Sequence, residues 1–263
     1  MAIRRWTEEE TRLALYLYFQ LPFGQLDQRN PEIQKLAHII GRSNSSVAMK
    51  LSNFASLDPK IVESGRKGLS GASNLDRQMW AQFYNDWTSL VSAAERHWDQ
   101  AEVTLPTQRV KDVATPFSYE PYQGASSIQA TIEKRVGQKF FRRAVLANFD
   151  ERCCITGIAD VRLLNASHIK PWGLDEINRH NPANGFALSA TFDRAFDRGL
   201  ITIQFDGGVN ISRALRENHD GPTRDYFSRY HRMKILDPVR FALNKDIVEW
   251  HNNNVYIDRL HLT

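Results

Sequence analysis

The most constraining feature of this 263-residue chain is the stretch from residue 163 to residue 198, where three local patterns follow one another closely. Leu163 to Ile169 is a short apolar run that includes a histidine near its end, which predicts a β-strand. After a polar loop, Phe186 to Leu188 predicts a second strand. Thr191 to Arg198 then predicts a helix that is capped by its first residue or by Ser189. The stretch therefore predicts a strand–loop–strand–helix unit.

Three sequence blocks within this stretch carry a resemblance to a known family. They are SHIKPW at 167–172, NPANG at 181–185 and FDRAFDRGLI at 192–201. In this order and at this spacing the blocks resemble the HNH nucleases, and among them the restriction-type branch. The upstream segment Gly137 to Arg143 is also similar to that branch. The resemblance implies a ββα-metal fold and hydrolysis of phosphodiester bonds.

The resemblance assigns catalytic roles to two residues. His168 stands at the general-base position, and an imidazole suits that role because its ordinary pKa is near neutrality. Asn184 matches the residue that orients the base through a hydrogen bond to one ring nitrogen. A histidine after an apolar run is more often structural, so the prediction for His168 depends on all three blocks together. His180 and Asp175 lie in the loop and could approach the phosphate, but plain loop roles are favoured.

Three oxygen donors are the predicted metal ligands. Asp193 and Asp197 are four residues apart, so on a helix they face the same way and can share one divalent ion. Ser167 stands just before the base, where many relatives place an aspartate ligand. Oxygen ligands favour Mg²⁺ or Mn²⁺ over Zn²⁺, so one such cation per site is expected. The alternative is that the aspartates form a solvated face or pair with Arg194 and Arg198.

Composition and charge limit the classes of protein to which the chain can belong. A hydrophobic content of 42% and a charged content of 24% are typical of a globular protein, and the length suffices for two modest domains. The formal charge of +4 is compatible with a polyanionic partner. No apolar run is long enough to predict a membrane span, and an apolar signal core is lacking at the N-terminus, so a cytoplasmic protein is expected. Cys153 and Cys154 cannot build a four-cysteine zinc knuckle, which favours buried thiols on a strand beside the site.

The first hundred residues predict a helical domain. Its last predicted helix, over residues 74–99, carries a strongly aromatic stripe that indicates either core packing or a dimer interface. Trp6 to Gln20 opens with the capping box Thr7-x-x-Glu10, Asn30-Pro31 opens a second helix, and a turn through Gly41 precedes a third helix, Ser45 to Phe54. This arrangement resembles a helix-turn-helix DNA-binding unit, the alternative being a trihelical scaffold with solvated polar residues. The predicted DNA contacts lie at the start and on the outward side of the third helix, namely Arg42, Asn44, Ser46, Lys50 and Asn53.

The chain is therefore expected to have an α+β fold in three parts. Residues 1–100 form an all-helical, helix-turn-helix-like domain for DNA recognition, residues 101–130 a linker, and residues 131–263 the HNH nuclease domain. The nuclease domain is expected to open with a basic helix, Thr131 to Phe149. An ordinary solvated face is the alternative for its basic side chains. Farther along, Asp206-Gly207-Gly208 predicts a hairpin turn, and Asn244 predicts the cap of a last helix. The predicted contacts of this domain with the DNA backbone are Lys139, Arg142, Arg143 and Lys170.

The leading functional prediction is a metal-dependent DNA endonuclease that acts in defence against foreign DNA, as an ordinary or a modification-dependent restriction enzyme. Its expected partner is double-stranded DNA, and a homodimer is expected because cutting both strands together usually needs two active sites. One alternative is a DNA-binding regulator with a degenerate nuclease site, since Ser167 replaces an aspartate and the helix lacks the family's usual histidine. Another alternative is an RNA-specific or structure-specific nuclease.

Overall fold

The computed structural model describes residues 4–84, 86–104 and 128–258, so residues 105–127 of the predicted linker lie outside the described part. The helices before the first strand are α1 Glu8–Gln20, α2 Pro31–Ile39, α3 Asn44–Ala55, α4 Pro59–Glu63, α5 Asn74–Phe83, α6 Trp87–Thr104 and α7 Ile128–Asn148. The later elements are β1 Leu164–His168, β2 Gly185–Ser189, α8 Ala190–Asp197, β3 Ile201–Ile203, β4 Val209–Ile211, α9 Arg213–Arg216, α10 Gly221–Ser228 and α11 Lys245–Asn254.

The mixture of helices with small antiparallel sheets confirms the predicted α+β class. In the described residues β1 pairs with β2 and β3 pairs with β4. Helices come first in the chain, and the strands follow α7. Of the helices in the described part of the chain, none combines the length and the apolar character that crossing a bilayer requires.

The first three helices begin where their capping residues predict. The Oγ1 atom of Thr7 accepts a hydrogen bond from the backbone N–H of Glu10 at 3.2 Å, and the Glu10 carboxylate accepts one from the Thr7 N–H at 3.1 Å. Asn30 caps α2 and Ser43 caps α3. Helix α1 packs against α2, α3, α5, α6 and α7, and its residues 13–19 are all buried. It is therefore the centre of the helical half.

The helical pattern over residues 74–99 predicts one helix, but the structure divides it into α5 and α6. Asp86, just before α6, accepts hydrogen bonds from the backbone N–H and the hydroxyl of Ser89, at 3.0 and 2.6 Å. The break turns the aromatic side chains of both helices inward. Trp87 is buried and meets the ring of Phe19 edge-on at 4.8 Å. The aromatic stripe is thus part of the core.

Two hydrophobic cores occupy the described part of the chain, and α7 contributes to both. Phe140 and Ala144 pack with the N-terminal helices, and Phe241 from the C-terminal half joins them there. Phe141 and Val145 pack instead with the strands and α8. Neighbouring residues of α7 therefore face different cores, and the helix ties the helical half to the half that contains the strands.

The β1–β2 hairpin lies close to α7. Its register places His168 opposite Gly185. A Cβ atom on Gly185 would lie 2.6 Å from a ring carbon of Phe141 and 2.7 Å from a methyl group of Val145, so only glycine permits this approach. The β3–β4 pair confirms the hairpin predicted around residues 206–208, and Asn244 caps the last helix as predicted.

Helix α3 differs from the prediction on its outward side. Lys50 is only 5% exposed, and its Nζ atom lies 2.5 Å from a carboxylate oxygen of Asp76 on α5. Arg42, just before the helix, places its guanidinium 2.7 Å from the Glu10 carboxylate and 4.2 Å from the ring centre of Trp6. The prediction that Lys50 faces outward toward DNA is wrong, because this side chain is buried against Asp76. Contact between Arg42 and DNA stays a prediction, and it would have to compete with the Glu10 pair.

The remaining predicted contacts of α3 are neutral side chains at or near the surface. Asn44 is exposed, and Ser46 and Asn53 are half-buried. Lys50 is the only cation in α3, so the accessible face of this helix carries no positive charge. DNA binding through the three neutral residues stays a prediction, and it would depend on hydrogen bonds rather than on attraction to phosphates.

Replacing Lys50 with alanine should destabilise the protein by about 3 kcal/mol, because the Asp76 carboxylate would remain buried without its cation. Urea unfolding followed by circular dichroism measures the change. Lys60→Ala is the matched control, since Lys60 forms an exposed pair with Glu63, and it should cost less than about 0.5 kcal/mol. Similar effects of the two substitutions would contradict a structural role for the buried pair.

Candidate active site

The His168 ring lies at the C-terminal end of β1, where α7 and the following loop cover it. It stacks on Phe141 of α7 with a centroid distance of 3.6 Å and an angle of 7° between the planes. The ring of Trp172 meets it edge-on at 5.7 Å. Burial lowers the pKa of His168 to about 4, although a hydrogen bond to the backbone at Arg179 opposes this effect. The ring is therefore neutral near pH 7, the form in which an imidazole can accept a proton.

One nitrogen of this ring is held by the protein and the other is open. Nε2 lies 3.1 Å from the carbonyl oxygen of Arg179. A carbonyl can only accept a hydrogen bond, so the neutral ring carries its proton on Nε2. Nδ1 then bears the lone pair, and no residue in the described part of the chain forms a hydrogen bond with it. The arrangement leaves a proton acceptor available to water or substrate.

His251 offers an internal comparison with His168. Its ring stacks on Phe196 at 3.7 Å and 5°, and its Nε2 atom lies 3.2 Å from the carbonyl oxygen of the same phenylalanine. Its Nδ1 atom, however, is hydrogen-bonded to Thr202 Oγ1 at 2.9 Å. Both nitrogens of His251 are thus used within the fold, which is typical of a structural histidine. The open Nδ1 atom distinguishes His168.

Asn184 does not contact the histidine that it is predicted to orient. Its Oδ1 atom accepts from the Lys170 N–H at 2.9 Å, and its Nδ2 donates to the carbonyls of Lys170 and Asn178 at 3.1 and 3.2 Å. The expected direct hydrogen bond to His168 is wrong, because the buried amide is fully used by loop backbone. Asn184 instead closes the loop whose Arg179 carbonyl holds the ring.

The two predicted metal-binding carboxylates lie on α8 beside β1. Asn165 of β1 donates a hydrogen bond from Nδ2 to the Asp193 carboxylate at 2.7 Å, a contact that the sequence did not indicate. Desolvation, and then the negative charge of Asp193 one turn earlier, raise the pKa of Asp197 to about 6, although the residue as a whole is exposed. The two carboxylates therefore repel each other, and a bound cation would relieve that repulsion.

Ser167 lies on the same side of the hairpin as this carboxylate pair. Side chains alternate along a strand, so Ser167 shares a face of β1 with Asn165, and therefore with Asp193, while His168 projects from the opposite face. Ser167 is buried, and its hydroxyl has no protein partner among the described residues. This oxygen-only set of donors fits a hard divalent cation.

The protein supplies only part of a coordination shell. Within residues 4–84, 86–104 and 128–258, no group of three or more histidine, cysteine, aspartate or glutamate side chains could hold an ion. Mg²⁺ in proteins usually keeps several waters and is bound by one or two carboxylates together with substrate phosphates. The two carboxylates and the serine hydroxyl are compatible with that mode of binding.

Two of the predicted DNA-binding arginines of α7 have partners within the protein. Arg142 donates hydrogen bonds to the carbonyls of Leu164 and Val161 at 2.7 and 3.0 Å, which anchors the start of β1. Arg143 forms an ion pair with Glu32 of α2 at 3.0 Å, across the boundary between the two halves. Both arginines hold the fold together, so contact with DNA would have to compete with these bonds.

The remaining predicted phosphate contacts lie nearer the surface. Lys139 of α7 is exposed. Lys170 is half-buried in the loop after β1 and pairs with Asp175 at 3.2 Å. Contact between these two lysines and DNA stays a prediction.

The adjacent cysteines are buried, but they lie in the turn after α7 rather than on a strand. The backbone N–H of Cys154 bonds to the carbonyl of Ala187 in β2 at 2.8 Å, so this turn packs beside the hairpin. Burial raises the pKa of Cys154, which keeps its thiol protonated. Cysteine 154 is thus unsuited to bind a metal as a thiolate.

His180, which the sequence places in the loop, makes a contact that the sequence did not indicate. It is 6% exposed, and its Nδ1 atom is hydrogen-bonded to Thr88 Oγ1 of α6 at 3.2 Å. Its ring meets Trp172 edge-on at 4.9 Å, and burial lowers its pKa to about 4. The expected plain loop role misses this contact because Thr88 is 92 positions away, beyond the reach of any local pattern.

Because three histidines have a lowered pKa in the folded protein, we expect the free energy of unfolding to decrease at acidic pH. His168, His180 and His251 each have a folded pKa of about 4, below the ordinary value of 6.5. Unfolding therefore takes up protons between these values, and stability is lost as the pH falls through this window. At pH 5 the loss is on the order of 2 kcal/mol per histidine.

Urea unfolding at pH 7 and pH 5 measures this dependence. In the variant His251→Gln, stability should fall between the two pH values by about 2 kcal/mol less than in the original protein. His219→Gln, which replaces an exposed histidine, is the control for the substitution itself. An unchanged dependence in His251→Gln would contradict the neutral, buried state of this ring.

Comparison with known proteins agrees with the geometry of the site. No curated protein matches the chain. Residues 153–204 match a family model described as HNH endonuclease. The match extends from the cysteine turn through β1, β2 and α8 to the residue after β3, so it includes His168, Asn184, Asp193 and Asp197. The strand–loop–strand–helix segment of this chain is therefore similar in sequence to the HNH endonuclease family.

Proposed function

We propose that this protein is a metal-dependent endonuclease that hydrolyses phosphodiester bonds in double-stranded DNA, with His168 as its general base. The observation that supports the proposal is the hydrogen bonding of the His168 ring, which lies within the matched segment. Its Nε2 atom is held by a backbone carbonyl, and its Nδ1 atom has no partner among the described residues. His251 has the same aromatic stacking but no open nitrogen.

In the proposed reaction, Nδ1 of His168 takes a proton from the water whose oxygen bonds to the phosphorus atom, while the bond between phosphorus and the leaving oxygen breaks. The ring then becomes an imidazolium, and its Nε2–H bond to the Arg179 carbonyl becomes stronger because the donor is charged. A pKa of about 4 makes the resting ring a weak base. A phosphate anion bound nearby favours the protonated ring and so raises that pKa during the reaction.

Asp193, Asp197 and Ser167 are the residues that would hold the cation. They lie on the face of β1 opposite to His168, so a phosphate would have to lie at the end of the strand to meet both the cation and the base. When bound, a divalent cation supplies positive charge that stabilises the charge developing on the phosphate and on the leaving oxygen. Asn165 keeps the Asp193 carboxylate in place through its 2.7 Å hydrogen bond. The oxygen donors suit Mg²⁺ and Mn²⁺ alike, so either ion is expected to bind.

The proposal extends to a biological role. The order of the three blocks resembles restriction-type HNH proteins, which supports a cytoplasmic enzyme that cuts foreign DNA, with or without a requirement for modified bases. The helical half would choose the target, through Asn44, Ser46 and Asn53 of α3. Two copies of the chain acting as a homodimer would cut both strands, since each copy contains one such site.

The protein should nick or linearise supercoiled plasmid DNA in the presence of Mg²⁺ or Mn²⁺, and His168→Ala should lower the rate at least about 100-fold. Agarose gel electrophoresis measures the conversion. His219→Ala removes an exposed histidine and is expected to cleave at the original rate. Plasmid binding without cleavage by any of these proteins would favour a DNA-binding regulator, and cleavage only of RNA or branched DNA would favour the other nuclease class.

Mn²⁺ should raise the melting temperature of the protein, because an ion that binds only the folded state stabilises it. Asp193→Asn should remove most of that increase by taking away one charged ligand. Asp237→Asn changes an exposed carboxylate outside the predicted ligand set and should leave the increase intact. An equal increase in all three proteins, measured by differential scanning fluorimetry, would place the Mn²⁺ site elsewhere.

A further inference from the structure

We infer that Thr88 and His180 are positioning residues, through which the helical half holds the carbonyl that selects the productive tautomer of His168. The inference rests on the proposed role of His168 as the base. It concerns a contact outside the matched segment, because Thr88 belongs to α6.

The hydrogen bond between Thr88 and His180 anchors the loop close to the Arg179 carbonyl. Thr88 Oγ1 and His180 Nδ1 are hydrogen-bonded at 3.2 Å. The residue before His180 is Arg179, whose carbonyl oxygen lies 3.1 Å from Nε2 of His168. Consecutive Cα atoms are about 3.8 Å apart, so the anchored residue directly limits the movement of this carbonyl.

The rings packed around Trp172 also connect His180 with His168. The Trp172 centroid lies 4.9 Å from that of His180 at 89° and 5.7 Å from that of His168 at 86°. Both imidazoles therefore meet the same indole ring at nearly right angles, a favourable arrangement for aromatic rings. A displacement of His180 would move Trp172 and so reach His168 by a route separate from the backbone.

These rings pack against one surface of α7. A Cβ atom on Gly137 would lie 2.3 Å from Nε2 of His180 and 3.2 Å from a ring carbon of Trp172. Phe141, one helical turn later on the same face, stacks on His168. Helix α7 thus has a glycine where His180 packs and a flat aromatic ring where His168 packs.

Loss of the anchor has a definite chemical consequence. If the Arg179 carbonyl moves away, Nε2 loses its acceptor and the neutral ring can place its proton on Nδ1 instead. In that tautomer Nδ1 is a donor and cannot take a proton from water. The fraction of molecules ready to react falls, while the affinity for DNA, which depends on other residues, does not change. The effect should therefore appear in kcat rather than in KM.

The test compares three substitutions at the start of α6 in plasmid cleavage. Thr88→Val keeps the shape of the side chain but removes its hydroxyl, and it should lower kcat about tenfold with little change in KM. Thr88→Ser restores a hydroxyl and should recover most of the rate. Ser89→Ala is the matched control, because the Ser89 hydroxyl bonds to Asp86 and not to the loop. Equal losses in Thr88→Val and Ser89→Ala would overturn the inference.

A second measurement reports on the ring without requiring cleavage. ¹⁵N NMR of the histidine side chains should show His168 protonated on Nε2 in the original protein and a mixture of tautomers in Thr88→Val. An unchanged His168 signal together with an unchanged kcat would overturn the inference and leave the proposed function standing. If the original protein cleaves no DNA, the proposed function fails, and a tautomer change in Thr88→Val would still support the positioning contact.

Discussion

Helix α7 is buried on one face against the N-terminal helices and on another against the strands. The rest of the structure depends on this double packing. Phe140 packs with the N-terminal helices, whereas Phe141 packs with the strands. Each large side chain buried in this way contributes about 1.5–3 kcal/mol, so the halves cannot separate without exposing one face. The guanidinium of Arg240 adds a buried connection, since it donates to the Tyr18 carbonyl at 2.6 Å. The His168 ring also lies on this shared helix, where it stacks on Phe141.

The same helix sets the chemistry of the candidate base. Phe141 covers one face of the His168 ring, and the resulting desolvation disfavours the charged imidazolium. A ring kept neutral in this way can accept a proton at any pH above about 5. The Arg179 carbonyl then decides which nitrogen is the acceptor. Burial thus keeps the ring neutral, and one hydrogen bond fixes its tautomer. A solvent-exposed histidine would have neither constraint.

Local signals in the sequence were sufficient for most of the helices and strands, because capping and strand alternation depend on residues close together in the chain. The capping box at Thr7 and the cap at Asn244 lie where they were predicted. Local signals failed where a distant partner decides the outcome. Lys50 has the pattern of an outward-facing residue, yet it is buried because Asp76, 26 positions later, neutralises it. The break between α5 and α6 was missed because the apolar period continues across it.

The sequence by itself determined the order of the HNH blocks, the secondary structure that they form and the residue types of the candidate site. Only the tertiary structure decided which nitrogen of His168 is open, that Asn184 holds backbone rather than the ring, and that Thr88 meets His180. The physical reason is that these properties depend on hydrogen-bond partners brought together by packing. Neither a motif nor a periodicity specifies which carbonyl or hydroxyl will lie within 3.2 Å of an imidazole.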